Sequence, residues 1–352
     1  MPKVTIGIPT YNSQKFIEQA INSILNQTYQ DFELIICDDL SSDNTDEIIN
    51  IYLEKDKRIR YFKNSEHIGL FENFNQCIKH SSGEYINILG HDDVMLPRNI
   101  EVKTEIFEQY PNVGLVGSSI EIIDGENNPV IFDLNPNWSK YEKDTIELGR
   151  DWLINKVSAN NPICCPFVFL RSSILEKSGL FNSKYDFVGD YDMWLRVALY
   201  SDVCFIKETL GKFRWHLNNE SCKYDDLYYL TEVSQIWNEL IDQLDLPPEK
   251  LLAMEDRIFR GLFDFFIVKN FTQYDLNYLL KMSEILYHWR SAQSRILIPV
   301  EMLGQSIIKL NRLLADTQNQ LALSESKLAD TQNQLALSKQ IINSIENTKN
   351  EN

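Results

Sequence analysis

Short apolar runs alternate with amphipathic stretches from Val4 to about Glu208, and that alternation predicts βαβ units wound around a mostly parallel sheet. Strands are expected at 5–9, 33–38, 59–63, 85–90, 114–123, 167–170 and 203–207. Between the first two, Phe16, Ile17, Ala20, Ile21, Ile24 and Leu25 recur at helical spacing, with Asn12 or Ser13 available as the cap. After the second, Ser41, Ser42, Asp43 and Asn44 make a polar turn into a helix carrying Ile48, Ile49, Tyr52 and Leu53. From Ser221 to about Leu310 helical periodicity rich in Leu, Ile, Phe and Tyr takes over, broken at Pro247 and Pro248. The expected organisation is an α/β domain at 1–220, a helical extension at 221–310 and a tail at 311–352.

The tail repeats itself. LADTQNQLALS occurs at 314–324 and again at 328–338, a period of fourteen residues or two heptads. Ile307, Leu314, Leu321, Leu328, Leu335 and Ile342 are seven apart, but the positions three further on, including Thr317, Ser324, Thr331 and Ser338, are mostly polar. A stable coiled coil needs both seam positions apolar, so two readings stand. One is a coiled coil that depends on a partner or a second copy of the chain; the other is a single frayed helix.

Composition narrows the class. A hydrophobic content of 43% over 352 residues supports a large core and excludes disorder for most of the chain. The 51 acidic residues outnumber the 34 basic ones, and the net charge of −17 without a local basic patch argues against nucleic acid or anionic lipid as partners. Cys37, Cys77, Cys164, Cys165, Cys204 and Cys222 form no CxxC pair or zinc-ligand spacing and read as reduced thiols. The first strand follows Met1 too closely for a signal sequence, and no apolar run reaches the ~18 residues of a membrane span. A cytoplasmic protein, at most peripheral to the membrane's inner face, is the expectation.

Three stretches end apolar runs abruptly in carboxylates or small polar residues: VTIGIPTYN at 4–12, IICDDLSSDNTD at 35–46 and GEYINILGHDDVMLP at 83–97. Strands of an open α/β sheet deliver side chains to a site at their carboxyl ends in this way. Asp38 and Asp39 end one strand, Asp92 and Asp93 another. Carboxylates converging there repel one another, and a hard divalent cation bridging to a phosphate relieves the repulsion.

In this order and spacing, PTYN, the DD of ICDDLSSDNT, the GEYI strand and HDDVMLP resemble family 2 glycosyltransferases of the GT-A fold, over about residues 3–221. The resemblance implies a Rossmann-like sheet flanked by helices and transfer, with inversion, of a sugar from a nucleotide diphosphate sugar, UDP- or dTDP-linked, to a hydroxyl. It also implies a divalent cation, Mn²⁺ or Mg²⁺, and a carbohydrate, lipid-linked or protein acceptor in glycan or cell-surface polysaccharide biosynthesis. By position, Thr10, Tyr11 and Asn12 match the loop that holds the nucleotide base, and Asp39 matches the carboxylate that accepts from it, supported by Asp38. Asn64 and Gly69 fall in a segment near the nucleotide. Asp92 matches the metal-holding carboxylate, with Asp93 or His91 helping, and Gly90 stands where the family commonly has another Asp. In VGDYDMWLR, Asp190 matches the catalytic base, and Asp192 is expected to cap or orient the helix. Arg214 and His216 match a loop that reaches the diphosphate or the metal.

Two other functions compete. A sugar-phosphate nucleotidyltransferase would cradle a triphosphate in a Gly-rich loop, whereas PTYNSQKF has no glycine. A catalytically degenerate scaffold is favoured by Gly90 and the repeat tail and opposed by the joint presence of Asp39, Asp92 and Asp190.

Overall fold

All seven residues of Val4–Thr10 and all seven of Phe32–Asp38 are buried, as expected of central strands covered on both faces. They are β1 and β2, joined through helix α1 (Ile17–Leu25), and α2 (Thr45–Lys55) then leads to β3 (Ile59–Lys63). There follow α3 (Leu70–His80), β4 (Tyr85–Ile88), β5 (Val94–Met95), α4 (Asn99–Gln109) and β6 (Val113–Ile123). Beyond these come β7 (Thr145–Glu147), α5 (Gly149–Asn155), β8 (Phe169–Arg171), α6 (Leu175–Ser178), α7 (Gly189–Ala198), β9 (Asp202–Arg214) and α8 (Asp226–Ile241). This computed structural model describes residues 1–130, 143–155, 161, 163–241, 243, 244, 246, 247, 249–251, 253, 254, 257, 258, 281 and 327. The chain divides into two units, Met1–Trp289 and Arg290–Asn352. The heptad repeats and most of the expected helical extension beyond α8 lie outside the described residues.

The strands form one sheet in the order β3-β2-β1-β4-β8-β6-β9-β5, with β7 on β9. Parallel pairing joins β3, β2, β1 and β4 and the long β6–β9 pair, while short antiparallel pairs attach β8, β5 and β7. Ile21 and Ile24 of α1, with Ile49 of α2, pack on Ile6, Ile8, Leu34 and Ile36 in one buried apolar core. All seven expected strands form. The edge strands β5 and β7, two and three residues long, were not expected, because they are too short for a period-two pattern to show. Strand β9 continues past the expected end at Lys207 to Arg214, following β6 through register shifts near Ser118 and Ser119. Helix α1 starts at Ile17 after Phe16, so Asn12 and Ser13 are not its caps; Asn12 has φ +48° in the preceding turn. Among the described residues no helix is long and apolar enough to cross a membrane.

Candidate active site

The carboxyl ends of β1, β2 and β4 lie side by side in parallel register, which brings Thr10, Asp38 and the segment after Ile88 to one edge of the sheet. Asn12 is exposed, yet its backbone N–H donates to Ser41 Oγ (2.8 Å) and its side-chain oxygen accepts from Ser42 N–H (2.9 Å). It therefore ties the loop after β1 to the loop after β2. Thr10 is buried, with its hydroxyl on Ser13 Oγ. Asp38 is fully buried and accepts from Ser41 N–H (2.8 Å) and from the Tyr61 hydroxyl (2.7 Å), so it shapes its loop from beneath.

Asp39, also buried, is surrounded by donors from the turn before α3. Oδ1 accepts from Ile68 N–H (2.9 Å) and Asn64 Nδ2 (3.0 Å); Oδ2 accepts from Gly69 N–H (2.9 Å) and lies 2.9 Å from His67 Nδ1. Gly69 has φ +86°, which turns its N–H toward the carboxylate at no steric cost. The His67 ring also lies against exposed Tyr11, with ring centroids 4.6 Å apart and planes at 38°. His67 is thus a central member of the cluster, bridging two residues to which the sequence assigned roles.

Asp92, Asp93, Arg214 and His216 form the second cluster. His216 Nε2 lies 3.0 Å from Asp92 Oδ2, and its ring stacks on Phe16 at 5.3 Å. Among the described residues His216 Nδ1 is buried without a hydrogen-bond partner. Burial pushes the Asp92 carboxyl up, but His91 and His216 outweigh it and hold the group below the ordinary carboxylate range. Asp93 is buried and accepts from Arg214 N–H at 2.8 Å; burial and then the Asp92 charge raise its carboxyl well above the ordinary value. A Cβ on Gly90 would come within 2.4 Å of Asp93 Oδ2 and 3.0 Å of Asp92 Oδ1, so the Asp93 carboxylate occupies the space that a side chain at Gly90 would take.

Arg214, expected at a diphosphate, is fully buried with its donors engaged. Nε reaches Asp92 O (2.7 Å), one terminal nitrogen reaches Asp124 O (2.7 Å), and the other reaches Gln19 Oε1 (2.8 Å) and Asn127 Oδ1 (2.9 Å). Two backbone carbonyls and two side-chain amide oxygens, four acceptors in all, are met by this one guanidinium, which fixes the Asp92–Asp93 turn from behind.

Asp190 is in the first turn of α7. Both the Cys164 and Cys165 thiols are raised by burial first, and each is raised further by the nearby charges of Asp190 and Asp93. Burial pushes the Asp190 carboxyl up to about 7, although Tyr191 N–H on Oδ1 (2.7 Å) and Asn161 Nδ2 on Oδ2 (2.7 Å) both favour its charged form. Gly189 makes this helix start possible, since a Cβ there would meet the Phe71 ring at 2.7 Å. Asp192 instead pairs with Arg196 (2.7 Å), whose guanidinium also holds the carbonyls of Ser178 and Leu180. Sequence reasoning did not single out Asn161; the only signal was its place in the NNPICC run.

The model of the family described as "Glycosyl transferase family 2" matches residues 5–175, from β1 into α6. An uncharacterized glycosyltransferase of Rickettsia typhi is 31% identical over 244 residues, covering 69% of this chain and 73% of the relative. Among solved structures, the 1–349 fragment of S. aureus TarS in complex with UDP-GlcNAc has a TM-score of 0.64 at 17% identity, covering 82% of this chain and 80% of that one. The mannosyltransferase PcManGT of Pyrobaculum calidifontis, in complex with GDP-Man and Mn²⁺, has a TM-score of 0.53 at 16% identity, covering 88% and 80%. The fold is that of GT-A glycosyltransferases, and with strand ends, acidic turn and sequence all agreeing, the chain belongs to glycosyl transferase family 2.

Proposed function

We propose that this glycosyltransferase moves a sugar from a nucleotide diphosphate sugar to a hydroxyl acceptor with inversion, in a divalent-cation-dependent reaction of glycan assembly. The observation that carries the reading is Asp190: a buried carboxyl at the start of α7, held by Asn161 Nδ2 at 2.7 Å, with its pKa pushed up to about 7. A general base works best when its pKa lies near the operating pH. Asp190 takes the proton of the attacking hydroxyl, and Asn161 steadies the carboxylate while it does so.

The residues present fit a divalent cation. Asp92 Oδ2 and His216 Nε2, 3.0 Å apart, are a carboxylate and an imidazole that would together hold it. One carboxylate and one imidazole leave most positions to water and diphosphate oxygens, the usual arrangement for Mn²⁺ or Mg²⁺. When bound, the ion supplies Lewis-acid stabilisation of the departing diphosphate. Tyr11 offers a ring to the base, and Asp39, Asn64 and Gly69 form its polar side. The complexes of TarS with UDP-GlcNAc and PcManGT with GDP-Man and Mn²⁺ support a sugar nucleotide as donor, with UDP- or dTDP-sugars suited to Tyr11 and Asp39. The acceptor hydroxyl is a carbohydrate, a lipid-linked glycan or a protein side chain.

The test is a panel of UDP-glucose, UDP-GlcNAc, dTDP-glucose and GDP-mannose with and without Mn²⁺, read by thermal stabilisation and release of nucleoside diphosphate. Cation-dependent turnover of one donor is expected, lost in Asp92→Ala and in Asp190→Asn. Near-normal turnover by Asp190→Asn would overturn the base assignment.

A further inference from the structure

Helix α8 follows the GT-A sheet in sequence, and its Glu232 is 5% exposed. Its carboxylate accepts from three successive backbone N–H groups: Asp186 on Oε1 (2.8 Å), and Phe187 (3.1 Å) and Val188 (3.0 Å) on Oε2. Among the described residues no cation pairs with it, so these donors are what make burial of the charge tolerable. Neutral side chains lack the acceptor capacity: a carboxylate has about four lone-pair sites, an amide oxygen two. The gripped residues directly precede Gly189 and Asp190, and Val188 O accepts from Asp192 N–H (3.0 Å) at the start of α7.

Other contacts tie the same helix to the same turn. The Tyr228 hydroxyl donates to Asp186 Oδ2 (2.6 Å), and Trp237 Nε1 donates to the Tyr191 hydroxyl (3.2 Å). Lys184 pairs with Glu239, and the Tyr229 ring meets Phe187 edge-on at 5.4 Å. Tyr229 also lies close to Asp190: its hydroxyl is kept protonated by burial first and then by the Asp190 charge.

We propose that Glu232 is a positioning residue for glycosyl transfer: it fixes the 186–188 turn from α8 and so aims the Asp190 carboxyl, making α8 part of the catalytic unit. The inference rests on the reading of Asp190 as the base. Only the φ and ψ torsions of Val188 and Gly189 separate the gripped Val188 N–H from the Asp190 Cα. Release of the turn lets the carboxyl swing and admits water to it. The groups facing that carboxyl are the Asn161 amide, the Tyr229 phenol and the Cys164 and Cys165 thiols. None of them is cationic, so hydration is what would shift its titration.

The experiment uses the full chain carrying Glu232→Ala, Glu232→Gln or Asp190→Asn, with the donor of the panel above that is released fastest. It measures the pH dependence of kcat, the donor KM and the melting temperature. Glu232→Ala is expected to lower kcat at least tenfold, move its acid limb to lower pH and leave the donor KM within twofold. Glu232→Gln, whose single oxygen still serves Phe187 and Val188, is expected to fall between it and wild type, and is the variant to read if Glu232→Ala does not fold. A kcat within twofold of wild type with the limb in place overturns the proposal. So does a loss of kcat and donor affinity together that merely follows the melting temperature. An active Asp190→Asn would instead remove the underlying base reading, whereas an inactive Asp190→Asn beside a normal Glu232 variant removes this inference alone.

Discussion

The Asn161 side-chain amide donates to Asp190 Oδ2 at 2.7 Å, beside a carboxyl that burial has pushed up to about 7. The bond favours the charged form, against the desolvation that opposes it. The base is active when deprotonated, so kcat/KM should rise with pH through an acid limb near 7. Removing the donor in Asn161→Ala should move that limb upward by about one pH unit, since a hydrogen bond to a charged group is worth roughly 1.5 kcal/mol or more. A pH–rate profile that does not move would show that the amide does not act on the base.

The same shift has a consequence for stability. The native-state pKa of Asp190 lies above the ordinary carboxylate value, so the folded protein binds the proton more tightly than the unfolded chain. Asp190 therefore costs stability progressively as pH rises from about 4 to about 7, and the full cost remains above that. Asp190→Asn should melt higher than wild type at pH 8, with little difference near pH 4, while losing turnover. Melting curves at the two pH values check the sign.

Arg214 should behave as a structural residue. Its guanidinium meets Asp92 O, Asp124 O, Gln19 Oε1 and Asn127 Oδ1 while fully buried. Arg214→Met leaves those acceptors unpaired and should cost about 3 kcal/mol or more, seen as a lower midpoint in denaturant. A diphosphate ligand at the surface would instead weaken donor binding with an unchanged midpoint.

That role shows where sequence reading stops. The strand ends at Thr10 and Asp38 and the acidic turn at Asp92 are legible because an apolar run ending in carboxylates or small polar residues is a local signal. The use of Arg214 depends on Gln19, Asp124 and Asn127 meeting behind β9, up to 195 residues away in sequence. Asn161 and Asp190 are likewise 29 residues apart, and Glu232 lies 44 beyond Val188. No periodicity encodes such pairings. The edge strands β5 and β7 were illegible for a different reason: both exist only because β9 offers them a partner.

Gly90 is the chain's departure from the family's acidic motif, and restoring the carboxylate should harm the protein. An added Cβ would lie 2.4 Å from Asp93 Oδ2, and rotating Asp93 away would break its bond to Arg214 N–H. Gly90→Ala should cost about 1 kcal/mol by this effect. Gly90→Asp should cost more, because a third carboxylate is added beside Asp92 and Asp93, and should lower turnover at least tenfold. Higher activity in Gly90→Asp would mean that the turn adapts and that Asp93 gives up that space.

His67 makes two contacts that a pyrimidine base would make: its ring lies against Tyr11 at 4.6 Å and its Nδ1 is 2.9 Å from Asp39 Oδ2. Asp39 already accepts from Ile68, Gly69 and Asn64, so a base that donates to Oδ2 must displace the imidazole. His67 is 56% exposed and can swing outward at small cost. Its contact with Asp39 is of the partly exposed kind worth about 0.5 to 1 kcal/mol. Removing that competitor in His67→Ala should tighten UDP binding about two- to fivefold, while Tyr11→Ala, which removes the stacking ring, should weaken it about tenfold. Calorimetric titration with UDP separates the alternatives: weaker binding by both variants would make His67 the second face of the base site rather than its occupant.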